Sequence, residues 1–280
     1  MRTEVAGHGG VRLSLRVEGV EHAAPIVFVH GWAQSSGAWS AQLADPALTE
    51  RYRLVAMDLR GHGASDVPAG GYDDPQVWAD DLAAVLDFAG PEAIVVAWSY
   101  GGLVVTDHIR VHGTARLGGL VLVGAITEIG RDRPGGRVGE VMRASMRAML
   151  SDDPDVAVPA LTEFTRGMTA RPIPGAQAQA LLGACLSIPP AVRGALFRRD
   201  VGSADVLARI DKPTLVVHGT EDRVIDPSAA DYVLGKIPGA VVRWFADGGH
   251  LPFAESAEEF DAVLREFAMD VQGTLKDAQE

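Results

Sequence analysis

One serine stands where a nucleophile would be made. Ser99 lies in the stretch Ile94-Val95-Val96-Ala97-Trp98-Ser99-Tyr100-Gly101-Gly102. Ile94 to Val96 is apolar and β-branched, which suits a strand covered on both faces. Leu103 to His112 runs without Pro or Gly, which permits a helix. A serine at such a corner sits in strained backbone with its hydroxyl projecting above the strand ends. Small residues two before and two after it let strand and helix pass closely. This is a nucleophile elbow, usually Gly-x-Ser-x-Gly, with Ala97 in place of the first glycine.

A serine hydroxyl is a weak nucleophile at neutral pH and needs a base. Among the eight histidines, His250 has the best context. It lies in Asp247-Gly248-Gly249-His250-Leu251-Pro252, a glycine-rich loop after the apolar run Val241 to Phe245, read as the last buried strand. Such a loop can swing an imidazole over the strand tops. The base in turn needs an acid to fix its tautomer and stabilise its charged form. The strand Thr214 to Val217 ends in His218-Gly219-Thr220-Glu221-Asp222-Arg223. Glu221, Asp222 and Asp226 compete there. Asp222, three positions after Gly219, is preferred, and Glu128 is an alternative outside that loop. A tetrahedral oxyanion would need two preorganised N–H donors. The Tyr100 amide opens the elbow helix, where the helix dipole also favours negative charge. The Trp32 amide follows His30-Gly31 and is the expected second donor. His30, Gly31 and Trp98 are expected to border the substrate. The His30 side chain, like those of His62 and His218, is read as a hydrogen-bonder that pins its own loop.

The rest of the chain must hold these groups together. Val11, Leu13, Leu15 and Val17 alternate with polar residues, as in an antiparallel edge strand. Ile26 to Val29, Arg53 to Met57 and Leu120 to Val123 read as further strands. Asp74 to Phe88 has helical apolar spacing and stops at Gly90-Pro91. A helix is expected near Ala257 to Met269, and a frayed tail from Gln272 to Glu280. Strands alternating with helices imply a mostly parallel sheet covered on both faces. From Thr127 to Arg199 this rhythm breaks into amphipathic stretches punctuated by prolines. The expected organisation is therefore a core of residues 1–126 and 200–280 with a helical cap inserted at 127–199.

Composition narrows the classes further. The 280 residues carry a net charge of -12, which opposes nucleic-acid binding. No apolar run approaches the ~20 residues of a membrane span, and the first ten residues lack a signal pattern. Cys185 is the single cysteine, so no internal disulfide can form, and a cytoplasmic location is expected. Gly61-His62-Gly63 is followed by Asp66 where a dinucleotide loop needs glycine, and no P-loop or zinc motif is present. No cofactor and no metal are expected.

Read in order, His30-Gly31-Trp32, Asp58-Leu59-Arg60-Gly61-His62-Gly63-x-Ser65, Ala97-Trp98-Ser99-Tyr100-Gly101-Gly102, His218-Gly219-Thr220-Glu221-Asp222 and Gly249-His250 resemble the serial motifs of the α/β-hydrolase superfamily. The resemblance runs from Val11 to Met269. It is similar to the capped esterases, including carrier-protein methyl esterases and cofactor-free haloperoxidase-like hydrolases. The resemblance implies a serine esterase that transfers an acyl group through Ser99 beneath a cap. Lactone opening, perhydrolysis, C–C bond hydrolysis and lyase chemistry use the same residues, since a fold does not fix a reaction. An aspartate nucleophile is ruled out by the serine itself. A non-enzymatic receptor on this scaffold would commonly lack one of the three groups. The segment 127–199 holds ten arginines against seven carboxylates. Arg137, Arg143, Arg147, Arg193, Arg198 and Arg199 are expected to give it a local basic surface, suited to an anionic substrate or an acidic carrier protein.

Overall fold

The computed structural model describes residues 1–277. Eight strands form one sheet: β1 (Arg2–Ala6), β2 (Arg12–Gly19), β3 (Pro25–Val29), β4 (Arg53–Met57), β5 (Ala93–Trp98), β6 (Leu117–Val123), β7 (Thr214–Gly219) and β8 (Val241–Phe245). Their order across the sheet is β1-β2-β4-β3-β5-β6-β7-β8. The strands from β4 to β8 are parallel, and β1 and β2 are antiparallel additions. The apolar runs expected for β3, β4, β5 and β6 are fully or almost fully buried, because helices cover both faces.

The helices follow from ordinary start and stop signals. After the short α1 (Pro46–Thr49), α2 (Pro75–Ala89) starts at an Asp74 cap and ends at Gly90, whose φ of 119° no other residue adopts readily. The elbow helix α3 (Gly101–His112) follows β5 directly. Between β6 and β7 lie α4 (Glu140–Met149), α5 (Pro154–Gly167), α6 (Gly175–Ser187), α7 (Pro190–Ala195) and the short α8 (Ala204–Leu207). Pro154 and Pro190 open α5 and α7, where a missing N–H costs nothing. The chain closes with α9 (Ser228–Leu234), α10 (Pro252–Glu255) and α11 (Ala257–Asp277).

The structure corrects three expectations. The alternating strand at 11–17 is not the edge, because β1 pairs outside it in register Arg2↔Arg16 to Ala6↔Arg12. The run Val241–Phe245 is a strand but not a buried one. It is the opposite edge, paired among the described residues with β7 alone, and Val241 and Trp244 are exposed. The tail stays helical to Asp277, while residues 278–280, also expected to fray, lie outside the described residues.

Because β3 to β8 run parallel, their carboxyl ends share one edge. The chain leaves β3 towards β4 on one side and later returns past it to β5 on the other. Such a reversal of strand order opens a crevice beyond the strand ends, where α/β sheets bind ligands. His30, Ser99, Gly124, Asp222 and His250 each follow the end of a strand at that edge.

Candidate active site

Ser99 is the first residue past β5, and its φ is 54°. A non-glycine residue in the left-handed region costs of order 1–3 kcal/mol and must be held there. The surroundings do so: the Ser99 amide donates to the Val123 carbonyl, and its carbonyl accepts from Gly102 and Ile126. The glycines after the serine are the indispensable small residues. A Cβ on Gly101 would lie 2.7 Å from the Val29 carbonyl oxygen, and one on Gly102 2.5 Å from that of Ile126. Ala97 by contrast sits on the buried strand β5 with its methyl accommodated.

His250 and Asp222 are in contact. His250 Nδ1 lies 2.7 Å from Asp222 Oδ2. An ionised carboxylate only accepts, so Nδ1 carries the proton and Nε2 is the nitrogen left for proton transfer. Trp98, beside the serine, donates its indole N–H to the His250 carbonyl and packs its ring against the imidazole at 5.4 Å. Gly124, after β6, stands behind the pair; a Cβ there would lie 3.0 Å from His250 Nδ1 and 3.2 Å from Asp222 Oδ2. Burial alone would raise the Asp222 carboxyl, but the charge of His250 and the bonds from His218 and His250 hold it far below the usual range.

The other carboxylates considered for this position are occupied elsewhere. Glu128 accepts from the amides of Gly135 and Ser203 and from the Tyr232 hydroxyl. Asp226 caps Ser228. Glu221 is exposed.

The Tyr100 amide directly follows the serine, the Trp32 amide lies in the loop that Gly31 brings against it, and neither donates a hydrogen bond among the described residues. The loop carrying Trp32 is held in a particular shape: Ala33 has a φ of 53°, and Asp58 accepts from the amides of Ser36 and Ala64. Gly31 brings this loop against Ser99. A Cβ at Gly31 would lie 2.9 Å from Ser99 Cβ and 3.4 Å from its Oγ. Gly31→Ala is expected to push the two loops apart and lower kcat about 100-fold, the scale of a misplacement near 1 Å. Steady-state kinetics beside an unchanged circular-dichroism spectrum would check this.

The side chains of His30 and Trp98, expected to border the substrate, are engaged by the protein itself. His30 Nδ1 donates to the Gly31 carbonyl and Nε2 accepts from the Leu59 amide. Burial pushes the His30 imidazole down and takes that of His62 to about 3, so both rings are neutral at pH 7. Of the arginines expected on an exposed basic face, Arg193 and Arg199 are buried. Arg193 donates to the carbonyls of Met149 and Ile188. Arg199 donates to Asp107 Oδ2 at 2.5 Å and to the Tyr100 hydroxyl at 3.2 Å, which ties the end of the insertion to the elbow helix. Arg137, Arg143, Arg147 and Arg198 are exposed.

The helices between β6 and β7 cover the strand ends. Trp32 donates to the Arg193 carbonyl and packs between Phe164 and Phe197. The His250 amide donates to the Met168 carbonyl. Glu255 is a residue that the motifs do not point to. Its carboxylate accepts from the amides of Gly249 and Leu251 in the histidine loop and of Ala170 and Arg171 in the insertion. An acid in a short helix after a histidine carries no sequence signal of that role. Ser99 itself is 7% exposed. The described residues contain no cluster of metal-ligating side chains.

The sequence matches the model of the alpha/beta hydrolase family over residues 26–263. The chain is 43% identical to an esterase of Rhodococcus sp. ECU1013, with a TM-score of 0.91 covering 96% of this chain and 99% of that one. It is 30% identical to a non-heme chloroperoxidase of Kitasatospora aureofaciens over 87% of its own length and 91% of that protein's. It is also 26% identical to a pimeloyl-[acyl-carrier protein] methyl ester esterase of Vibrio campbellii, over 87% of this chain and 94% of that one. With the serine elbow, the sheet order and the histidine–carboxylate pair already in place, the chain belongs to the alpha/beta hydrolase family.

Proposed function

We propose that the protein is a serine hydrolase of carboxylic esters, with Ser99 as nucleophile, His250 as base and Asp222 as the acid that orients it. The observation that carries this reading is the 2.7 Å Asp222–His250 bond at the sheet edge where Ser99 is held in left-handed backbone. His250 Nε2 takes the Ser99 proton as Oγ attacks the acyl carbon. The amides of Trp32 and Tyr100 receive the oxyanion. As the intermediate collapses, His250 gives its proton to the departing alcohol, and the acyl group stays on Oγ. Water, activated by the same imidazole, then releases the acid and restores the serine. The segment 127–199 acts as the cap: its contacts with Trp32, Tyr100 and the His250 amide seat it over the serine's end of the sheet. The esterase identity of the Rhodococcus relative supports the ester as substrate class. Assaying purified protein against esters, lactones and thioesters of matched acyl size tests this. Turnover of esters that falls by orders of magnitude in Ser99→Ala is expected; activity confined to lactones or to none of the panel would overturn it.

The preferred ester carries an anionic group, either a free carboxylate or phosphate or the acidic surface of a carrier protein. Arg133, Arg137 and Arg143 border one surface groove on the insertion. Arg133 is paired with Asp200, but Arg143 makes no ion pair with any described residue. The name of the Vibrio relative, a pimeloyl-[acyl-carrier protein] methyl ester esterase, supports a carrier-protein ester as one such substrate. Arg137→Glu with Arg143→Glu is expected to lower kcat/KM for an anionic ester by on the order of 10-fold and to spare a neutral ester of equal size. The loss should shrink with salt, since exposed charges are screened over ~10 Å at 0.1 M. Equal effects on both esters would return these arginines to ordinary surface residues.

A further inference from the structure

We propose that His218 is a positioning residue for the acid: it donates a second imidazole N–H to Asp222 and thereby sets how strongly that carboxylate supports His250. This rests on the triad reading above. Asp222 Oδ1 accepts from the amides of Val224 at 2.8 Å and Ile225 at 2.9 Å. Oδ2 accepts from His250 Nδ1 at 2.7 Å and lies 3.2 Å from His218 Nε2. A carboxylate has about four acceptor sites, so these contacts fill it. His218 Nε2 also lies 3.3 Å from the Ile225 carbonyl oxygen. A carbonyl only accepts, so Nε2 must carry a proton, and that proton is shared between the carbonyl and Asp222.

The groups around the pair come from three neighbouring strands. From β7 comes His218 itself, 1% exposed; from β6 comes Gly124, without a side chain; from β8 comes Trp244, its ring 6.0 Å from the His218 ring. The titratable side chains that act on Asp222 are the two imidazoles. They share one oxygen. The longer bond fixes Oδ2 in line with His250 and keeps the buried carboxylate ionised. It also draws charge density from the shorter bond, so it weakens His250 as a base. These two effects have opposite signatures, which makes the role measurable.

The test is the pH dependence of kcat/KM for an ester, whose acid limb reports protonation of the base in the free enzyme. In His218→Met the donor is gone. The acid limb is expected to move upward by about half to one pH unit, and kcat to fall about 10-fold as the carboxylate loses its alignment. His218→Asn, too short to reach Oδ2, should behave likewise and serves if the Met variant does not fold. In His218→Gln the side-chain amide reaches the former Nε2 position, and both the acid limb and most of kcat should return. An acid limb that stays put in His218→Met and His218→Asn, whatever kcat does, would overturn the proposal. So would failure of His218→Gln to restore it. Ser99→Ala and Asp222→Asn are measured alongside. Near-wild-type activity in either would defeat the triad reading itself, whereas an unmoved acid limb with both lowered by orders of magnitude defeats only the role of His218.

Discussion

Ser99→Ala is expected to lower kcat for any ester substrate by about 10⁶-fold, the scale seen when a serine nucleophile is removed from a complete triad. The change deletes a single oxygen. It leaves the φ of 54°, the hydrogen bond from the Ser99 amide to the Val123 carbonyl and the Asp222–His250 bond intact, so the fold should be unaffected. What disappears is the atom that becomes acylated. The unengaged Trp32 and Tyr100 amides would still bind an oxyanion, and a small residual hydrolysis by water is expected from them. Kinetics with a chromogenic ester, together with thermal unfolding, separate chemistry from stability. An active Ser99→Ala enzyme of normal stability would remove the nucleophile from the account.

The second large effect is at the acid. Asp222→Asn is expected to lower kcat by about 10⁴-fold, by analogy with the same change in a serine-protease triad. The geometry of this site explains why. Asp222 Oδ1 accepts two backbone N–H bonds, from Val224 and Ile225. In the asparagine variant the side-chain oxygen must keep those bonds, which turns the NH₂ towards His250 and His218. His250 Nδ1 must then accept rather than donate, and its proton moves to Nε2. An imidazole with that tautomer cannot take the Ser99 proton. Glu221→Gln and Asp226→Asn should each cost far less, because Glu221 is exposed and Asp226 bonds Ser228 as its one side-chain partner among the described residues. Measuring kcat for all three variants on one ester decides it. A larger loss in Glu128→Gln than in Asp222→Asn would place the acid after β6 instead.

Much of this site is legible in the amino-acid sequence, and the reason is topological. In a parallel sheet every strand ends at the same edge, so Ser99, Asp222 and His250 need only follow separate strands in order. The buried strands β3, β4, β5 and β6 announce themselves as unbroken apolar runs because both faces are covered. Strand identity at the edges is less legible. Arg2–Ala6 alternates over five residues with three of them exposed, a pattern too weak to separate from a leading segment. Val241–Phe245 reads as buried because its residues are mostly apolar, yet apolar residues are common on surfaces. The arginines of the insertion mislead for a different reason. Arg193 and Arg199 look like Arg143 in sequence, and only tertiary placement reveals that two backbone carbonyls hold one and Asp107 the other. Glu255 and the second bond of His218 belong to the same class: they are contacts set by the folded loops, which motif spacing does not encode.

Covalent capture of the nucleophile tests the central claim most directly. The purified protein would be treated with a fluorophosphonate, digested, and its peptides mapped by mass spectrometry. A single adduct on Ser99 is expected, formed with loss of fluoride, in step with the loss of esterase activity, and strongly slowed in Asp222→Asn. An adduct on any other residue, or full inactivation with Ser99 unmodified, would contradict the account.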